Sequence, residues 1–204
     1  DQFIHADVGN FLSKFANKIT PKILGNWQNK CVHWKNKWPV YQGGYDADTV
    51  NMYEFTKTLS ELASEDEIVV SDAGSSYYVT SQSFTFNSNK QRYITSGAQA
   101  DMGFTLPAAI GTCIAANKSV VGITGDGSFQ LNIQELQTIK HYNLPVKLIV
   151  WNNNGYLSIR ATQNKFFDGR RIGTDPESGV SFPEVEKIAK AYDLPYVKIN
   201  NAAE

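Results

Sequence analysis

Three stretches of this chain are apolar with almost no polar interruption: Ile68-Val69-Val70, Val120 to Thr124, and Val146 to Trp151. A strand reads this way when neither of its faces meets water, as in a parallel sheet covered on both sides. The segments between them carry helical spacing. Met52, Phe55, Leu59 and Leu62 share one face of a helix that starts after Asp46 or Asp48. A helix is expected after Gly74-Ser75-Ser76, a small-residue helix over Phe104 to Ala116, and another over Asn132 to Tyr142, with Ile133, Leu136 and Ile139 on one side. Arg92 to Thr95 and Tyr196 to Ile199 read as further strands, and Pro183 opens a helix that runs to Tyr192. Strand and helix in alternation define an α/β fold, a three-layer αβα arrangement around a mostly parallel sheet of about six strands.

The first 45 residues differ from the rest. They hold six Lys and two acids, against thirteen Lys or Arg and eighteen acids over residues 46–204. Residues 6–19 form an amphipathic pattern with Asp7 as its cap and Val8, Phe11, Leu12, Phe15 and Ile19 on one face, stopped by Pro21. Residues 21–45 show no sustained period, and they read as a packed linker because Gly and Ser are scarce. Trp27, Lys30, Trp34, Lys35, Lys37 and Trp38 interleave bases with aromatics, a pattern nucleic-acid stripes share. With a net charge of −1 over the chain, packing of the Trp residues is the stronger reading and no nucleic-acid partner is expected. No run of 18 apolar residues is present, so no membrane span is expected. Cys31 and Cys113 lie far apart, outside any zinc or disulfide pattern, which points to a reducing, cytoplasmic setting.

Ligands of open α/β sheets bind beyond the carboxyl ends of the strands. Those ends are Asp72-Ala73-Gly74-Ser75-Ser76, Ser96 to Gly103, Gly125-Asp126-Gly127-Ser128 and Asn152-Asn153-Asn154-Gly155-Tyr156. Three of the four are rich in Gly and in small hydroxyl or amide side chains, which suits an anionic phosphate. Asp126 and Asn153 are separated by one helix and one strand. A right-handed crossover returns both strand ends to the same rim, where a carboxylate and an amide oxygen can share a hard cation such as Mg²⁺. Taken alone, Gly-Asp-Gly is usually a turn and Asn-Asn usually a loop. The ordered pair is what is specific. The Walker, dinucleotide-binding and nucleophile-elbow motifs are missing, and Asp46-Ala47-Asp48 lacks the Gly and Glu of a calcium loop.

The run Gly125-Asp126-Gly127-Ser128-Phe129, followed by Asn132, Glu135-Leu136, Leu144-Pro145 and Asn152 to Tyr156, resembles the thiamine diphosphate-binding signature. Gly97 to Gly103, with Phe104, Leu106-Pro107-Ala108-Ala109-Ile110-Gly111, is similar to the matching stretch of the acetolactate synthase family. The resemblance covers residues 46–204, the diphosphate-binding domain. It implies that residues 1–20 are the C-terminal remnant of a preceding central domain and residues 21–45 a linker. It also implies roles. Asp126 and Asn153 side chains and the Gly155 carbonyl would hold Mg²⁺. Gly125, Gly127, Ser128, Gly74, Ser75 and Ser76 would meet the diphosphate of thiamine diphosphate. Met102 would support the bend of the cofactor, and the Ala100 carbonyl, where the family usually has Gly, would accept from the aminopyrimidine. Apart from the resemblance, Tyr156 and Gln163 are candidates to border the cavity, with plain packing the stronger reading, and Arg160 is a candidate contact for a substrate carboxylate, against a surface or structural role.

The implied reaction is decarboxylation of a 2-oxo acid such as pyruvate and transfer of the two-carbon unit to a carbonyl acceptor. The family's catalytic Glu belongs to a pyrimidine-binding domain of a partner chain, in a homodimer or homotetramer. No residue of this sequence takes that role, so little turnover is expected from these 204 residues alone. FAD, used by some members, is not decided by these residues. The Ser158 to Gln163 segment departs from the Met-Val-x-Gln-Trp of biosynthetic members, which leaves the acceptor open. A 2-oxo acid decarboxylase, a 2-hydroxyacyl-CoA lyase, and a non-catalytic phosphate- or nucleotide-binding module are the alternatives.

Overall fold

The computed structural model describes residues 3–20 and 25–204. The chain divides into two compact units, Asp1–Pro39 and Val40–Glu204. In the first, helix α1 spans Val8–Ala16, and the Asp7 carboxylate accepts from the Asn10 N–H at 3.0 Å, as the sequence led one to expect. Pro21, the expected stop, lies outside the described residues. Residues 25–37, expected as irregular linker, instead form helix α2, Gly25–Lys37. It has no apolar stripe for periodicity to detect. The Trp27 and Trp34 rings meet edge to face one helical repeat apart, and both stay largely exposed.

The second unit carries the sheet. Helix α3 (Met52–Leu62) is capped by Asn51, whose side chain accepts from the N–H groups of Tyr53 and Glu54. Strand β1 (Ile68–Ser71), helix α4 (Ser75–Ser83) and strand β2 (Arg92–Ile94) follow. Then come helix α5 (Thr105–Ala116), strand β3 (Val120–Gly125), the one-turn helix α6 (Asp126–Phe129), helix α7 (Leu136–His141) and strand β4 (Val146–Trp151). Helices α8 (Leu157–Phe166) and α9 (Val185–Ala191) complete the elements.

All strand pairings are parallel and the order is β2-β1-β3-β4. The period of two sorts the strand residues between faces. Val69, Val121, Ile123, Ile149 and Trp151 pack with α3 and α4. Ile68, Val70, Val120, Val146, Leu148 and Val150 pack on the opposite face with α5, α7 and α9. Three layers result, as expected. Gly122 lets α5 come close, because a Cβ there would lie 3.0 Å from the Thr105 methyl.

Two expectations need correction. Among the described residues the sheet has four strands, not about six. Tyr196 to Ile199 joins no ladder, and Val197 is 84% exposed. The helix expected over Asn132 to Tyr142 is also broken. Asn132 has φ −138° and ψ 29°, and the turn before α7 is 3₁₀. The Asn132 amide donates to the Gly103 carbonyl at 2.8 Å instead of following a helical path.

Candidate functional site

The chain leaves β1 for β2 on one side and returns to β3 on the other, so the strand order reverses between β1 and β3. Such a reversal opens a crevice at the carboxyl ends of the strands. The expected residues collect there. The register pairs Gly125 with Trp151, so Asp126 and Asn152 each follow the last paired residue of adjacent strands. Adjacent strands lie ~4.8 Å apart.

Asp126 is 4% exposed. One carboxylate oxygen accepts from the Gly127 N–H at 2.8 Å and the other from the Gly155 N–H at 3.1 Å. Burial pushes its pKa above the ordinary carboxylate value, and the N–H donors, led by Gly155 and Gly127, oppose the shift only in part. The Asn153 side-chain oxygen is buried and has no hydrogen-bond partner. A buried carboxylate that is costly to ionise and a buried amide oxygen without a donor both call for a cation. Among the described residues no three His, Cys, Asp or Glu side chains come together. The groups that could hold a cation here are one carboxylate and one amide oxygen, hard oxygen donors of the kind Mg²⁺ takes together with phosphate oxygens and water.

Gly155 has φ 143°, and a Cβ there would collide with the Thr174 carbonyl. Only glycine lets the loop pass this close. The Tyr156 N–H donates to that same carbonyl at 2.8 Å. A Cβ on Gly127 would run into the Tyr156 ring, which meets Phe182 edge to face at 5.5 Å. Tyr156 thus packs over the Gly-Asp-Gly turn. Gly74, with φ 60°, caps α4 beside Ser158, whose hydroxyl lies 3.7 Å from where a Cβ would sit.

Asp72, at the tip of β1, is fully buried and was not among the expected site residues. One oxygen accepts from the Ala73 N–H at 2.7 Å and the Ser76 hydroxyl at 2.9 Å. The other accepts from the Thr124 hydroxyl at 2.8 Å and the Ser128 hydroxyl at 2.6 Å. The Ser128 oxygen in turn accepts from the Gly103 N–H at 2.7 Å. Two of the three serine hydroxyls expected near a diphosphate are therefore turned inward, onto Asp72. The sequence signal for Asp72 was there: an acid directly after an unbroken apolar strand must be buried among donors.

The chain from Ser128 through Gly103 ties the Gly97 to Gly103 loop to the same crevice. Ala100 sits in this loop in the left-handed region, φ 49° and ψ 55°, and Met102 is 39% exposed. Arg160, expected as a possible substrate contact, turns back on its own loop. It donates to the carbonyls of Asn153 at 2.9 Å and Asn154 at 3.3 Å.

Residues 72–204 match the family model described as thiamine pyrophosphate enzyme, C-terminal TPP binding domain. The chain belongs to this family. Its thiamine pyrophosphate-binding domain takes in all four strand ends described above. Curated relatives agree. The chain is 34% identical over 182 residues to the acetolactate synthase large subunit of Buchnera aphidicola subsp. Acyrthosiphon pisum, covering 89% of this chain and 31% of that protein. It is 34% identical over 188 residues to the acetolactate synthase large subunit of Lactococcus lactis subsp. lactis, covering 91% and 31%. It is 31% identical over 200 residues to acetolactate synthase 1, chloroplastic, of Oryza sativa subsp. japonica, covering 96% and 31%. The chain thus spans about a third of the length of the relatives it matches. Among the described residues, no helix is long and apolar enough to cross a membrane.

Proposed function

We propose that this chain forms the metal and diphosphate site of an acetolactate synthase-like enzyme. The observation that carries the reading is that buried Asp126 and the buried oxygen of Asn153, unpartnered among the described residues, follow the level ends of the adjacent strands β3 and β4. Asp126, Asn153 and the Gly155 carbonyl hold Mg²⁺. Backbone N–H groups of Gly74 to Ser76 and of Gly127 and Ser128 face the diphosphate. Gly125 lets the backbone approach it, and the Ala100 carbonyl and Met102 border the rest of the cofactor. When bound, thiamine diphosphate supplies the electron sink for decarboxylation of a 2-oxo acid such as pyruvate.

The residues of this chain do the positioning. Burial raises the Asp126 pKa, and a cation beside the carboxylate would favour its ionised form. Tyr156 and Phe182 wall one side of the Gly-Asp-Gly turn. A pyrimidine-binding domain of a partner chain, in a homodimer or homotetramer, supplies the acid that activates the cofactor. The two free cysteines, one exposed and one buried, fit a cytoplasmic setting.

Calorimetry with thiamine diphosphate and Mg²⁺ tests the site. Binding is expected only when both are present and is expected to vanish in Asp126→Ala. Mg²⁺-independent binding, or unchanged binding by the variant, refutes the assignment. Product analysis with pyruvate and an added pyrimidine-binding domain tests the reaction. Acetolactate supports it, and acetaldehyde alone indicates a simple decarboxylase.

A further inference from the structure

The loop that carries Asn153 is only partly self-supporting, through the Asn154 N–H, which donates to the Asn152 side-chain oxygen at 3.0 Å. Asn154 and Gly155 both have positive φ, 55° and 143°, so their peptide groups cannot bond within a helix or strand. Groups outside the loop also hold it. On one side is the Thr174 carbonyl, which accepts from the Tyr156 N–H. On the other is Arg160, in the first half of α8, whose own backbone N–H donates to the Tyr156 carbonyl at 2.9 Å. Its guanidinium spreads over two successive carbonyls, those of Asn153 and Asn154. A planar fork with several N–H donors can do this, whereas an ammonium cannot span both.

The fork also faces a carboxylate. Its Nη1 lies 4.0 Å from Asp175 Oδ2, and both side chains are largely buried. Asp175 is fixed by the Ser178 N–H at 3.0 Å, the Ser178 hydroxyl at 2.6 Å and Arg171 at 3.0 Å. Arg160 engages the backbone oxygen of Asn153 and leaves the side-chain oxygen without a partner.

We propose that Arg160 is a positioning residue that holds the Asn153-Asn154 backbone so that the Asn153 side-chain oxygen stays available to the cation at Asp126. This rests on the cation reading above. Arg160 then acts through the loop and does not meet the substrate.

The test is a Mn²⁺ titration of the full 204-residue chain with thiamine diphosphate, following the electron paramagnetic resonance signal of free Mn²⁺. Arg160→Met keeps the apolar stem and removes the donors. Groups that orient metal ligands are worth about 10- to 100-fold in metal affinity. Arg160→Met is therefore expected to bind Mn²⁺ at least about tenfold more weakly, and Arg160→Lys to fall between it and the native chain. A purely structural Arg160 would lower the melting temperature and leave the Mn²⁺ affinity of the folded protein unchanged, and that result overturns the proposal. If Arg160→Met does not fold, Arg160→Lys decides by the same comparison: weaker binding than native supports the role, equal binding overturns it. A native chain that takes up no Mn²⁺ overturns the cation site and this role together. Native binding that Arg160→Met matches overturns this role alone.

Discussion

Replacing Asp72 by Asn keeps the size of the side chain and removes its charge. The carboxylate accepts four hydrogen bonds, two at each oxygen. In the variant one oxygen keeps Ala73 and Ser76. The other position becomes an NH₂ group facing the hydroxyls of Thr124 and Ser128. Both hydroxyls must turn from donor to acceptor. Thr124 can send its proton toward the Gly125 carbonyl, a long 3.5 Å away. Ser128 already accepts from Gly103, and its proton is left without an acceptor among these groups. Two hydrogen bonds to a charged group are lost at about 1.5–3 kcal/mol each, and neutral replacements return about 1 kcal/mol each. The expected destabilisation is roughly 1–4 kcal/mol. A typical domain has only about 5–15 kcal/mol in total. Urea unfolding monitored by circular dichroism gives the midpoint and slope from which the difference follows. Combining the change with Ser128→Ala should recover part of the loss, because the stranded hydroxyl is gone. A loss below about 0.5 kcal/mol, the scatter of ordinary surface substitutions, would show that Asp72 does not organise the crevice.

Three further outcomes follow from the same geometry. Gly155→Ala forces a Cβ into the Thr174 carbonyl at a φ that side chains rarely adopt, so a loss of about 3–5 kcal/mol in unfolding free energy is expected, from backbone strain and overpacking together; a loss under 1 kcal/mol would contradict the close approach. Ala100→Gly should stabilise by about 0.5–1 kcal/mol, since relief of the left-handed strain exceeds the added flexibility of the unfolded chain; a lower urea midpoint would refute it. The third concerns pH. Because the folded pKa of Asp126 is raised by burial, its contribution without cation is fully present below the unfolded value and is lost as pH rises through the folded one. Cation binding runs the other way. Protons displace Mg²⁺ as pH falls, so the melting-temperature gain from Mg²⁺ and thiamine diphosphate should shrink on acidification, starting above the ordinary Asp value of about 3.9. A gain that is constant down to that value would contradict the assignment.

Elements buried on both faces were legible in the sequence, because they can be made only of apolar residues. β1 and β3 are of this kind, β4 reads the same way although it is only half-buried with Lys147 exposed, and α5 announces itself by small residues that let it settle on Gly122. Helix α8 was not legible as an element. Its apolar residues, Leu157, Ile159 and Phe166, do not form a stripe at helical spacing. Helix α2 escaped for the same reason. Tyr196 to Ile199 misled in the opposite sense, since β-prone side chains form a strand only where a neighbour offers a ladder. At the candidate site, the order of strand, helix and strand pointed to Asp126 and Asn153 because their proposed roles depend on chain topology. The roles of Asp72 and Arg160 depend on which donors and carbonyls surround them, and that is set by contacts 52 and 56 residues away for Asp72 and by a backward turn of the side chain for Arg160.

The pairing of Gly125 with Trp151 implies an uneven tolerance to insertions and deletions. Asp126 and Asn153 lie just past two strands that end level, and the number of residues connecting them plays no part. Extra residues between α7 and β4 would extend the connection and leave the pair facing each other. One residue added inside Val146–Trp151 would exchange the two faces of the strand and carry Asn153 away from Asp126. Chains descended from such an ancestor are thus free to vary the length of that connection and are held to a fixed length within the strand.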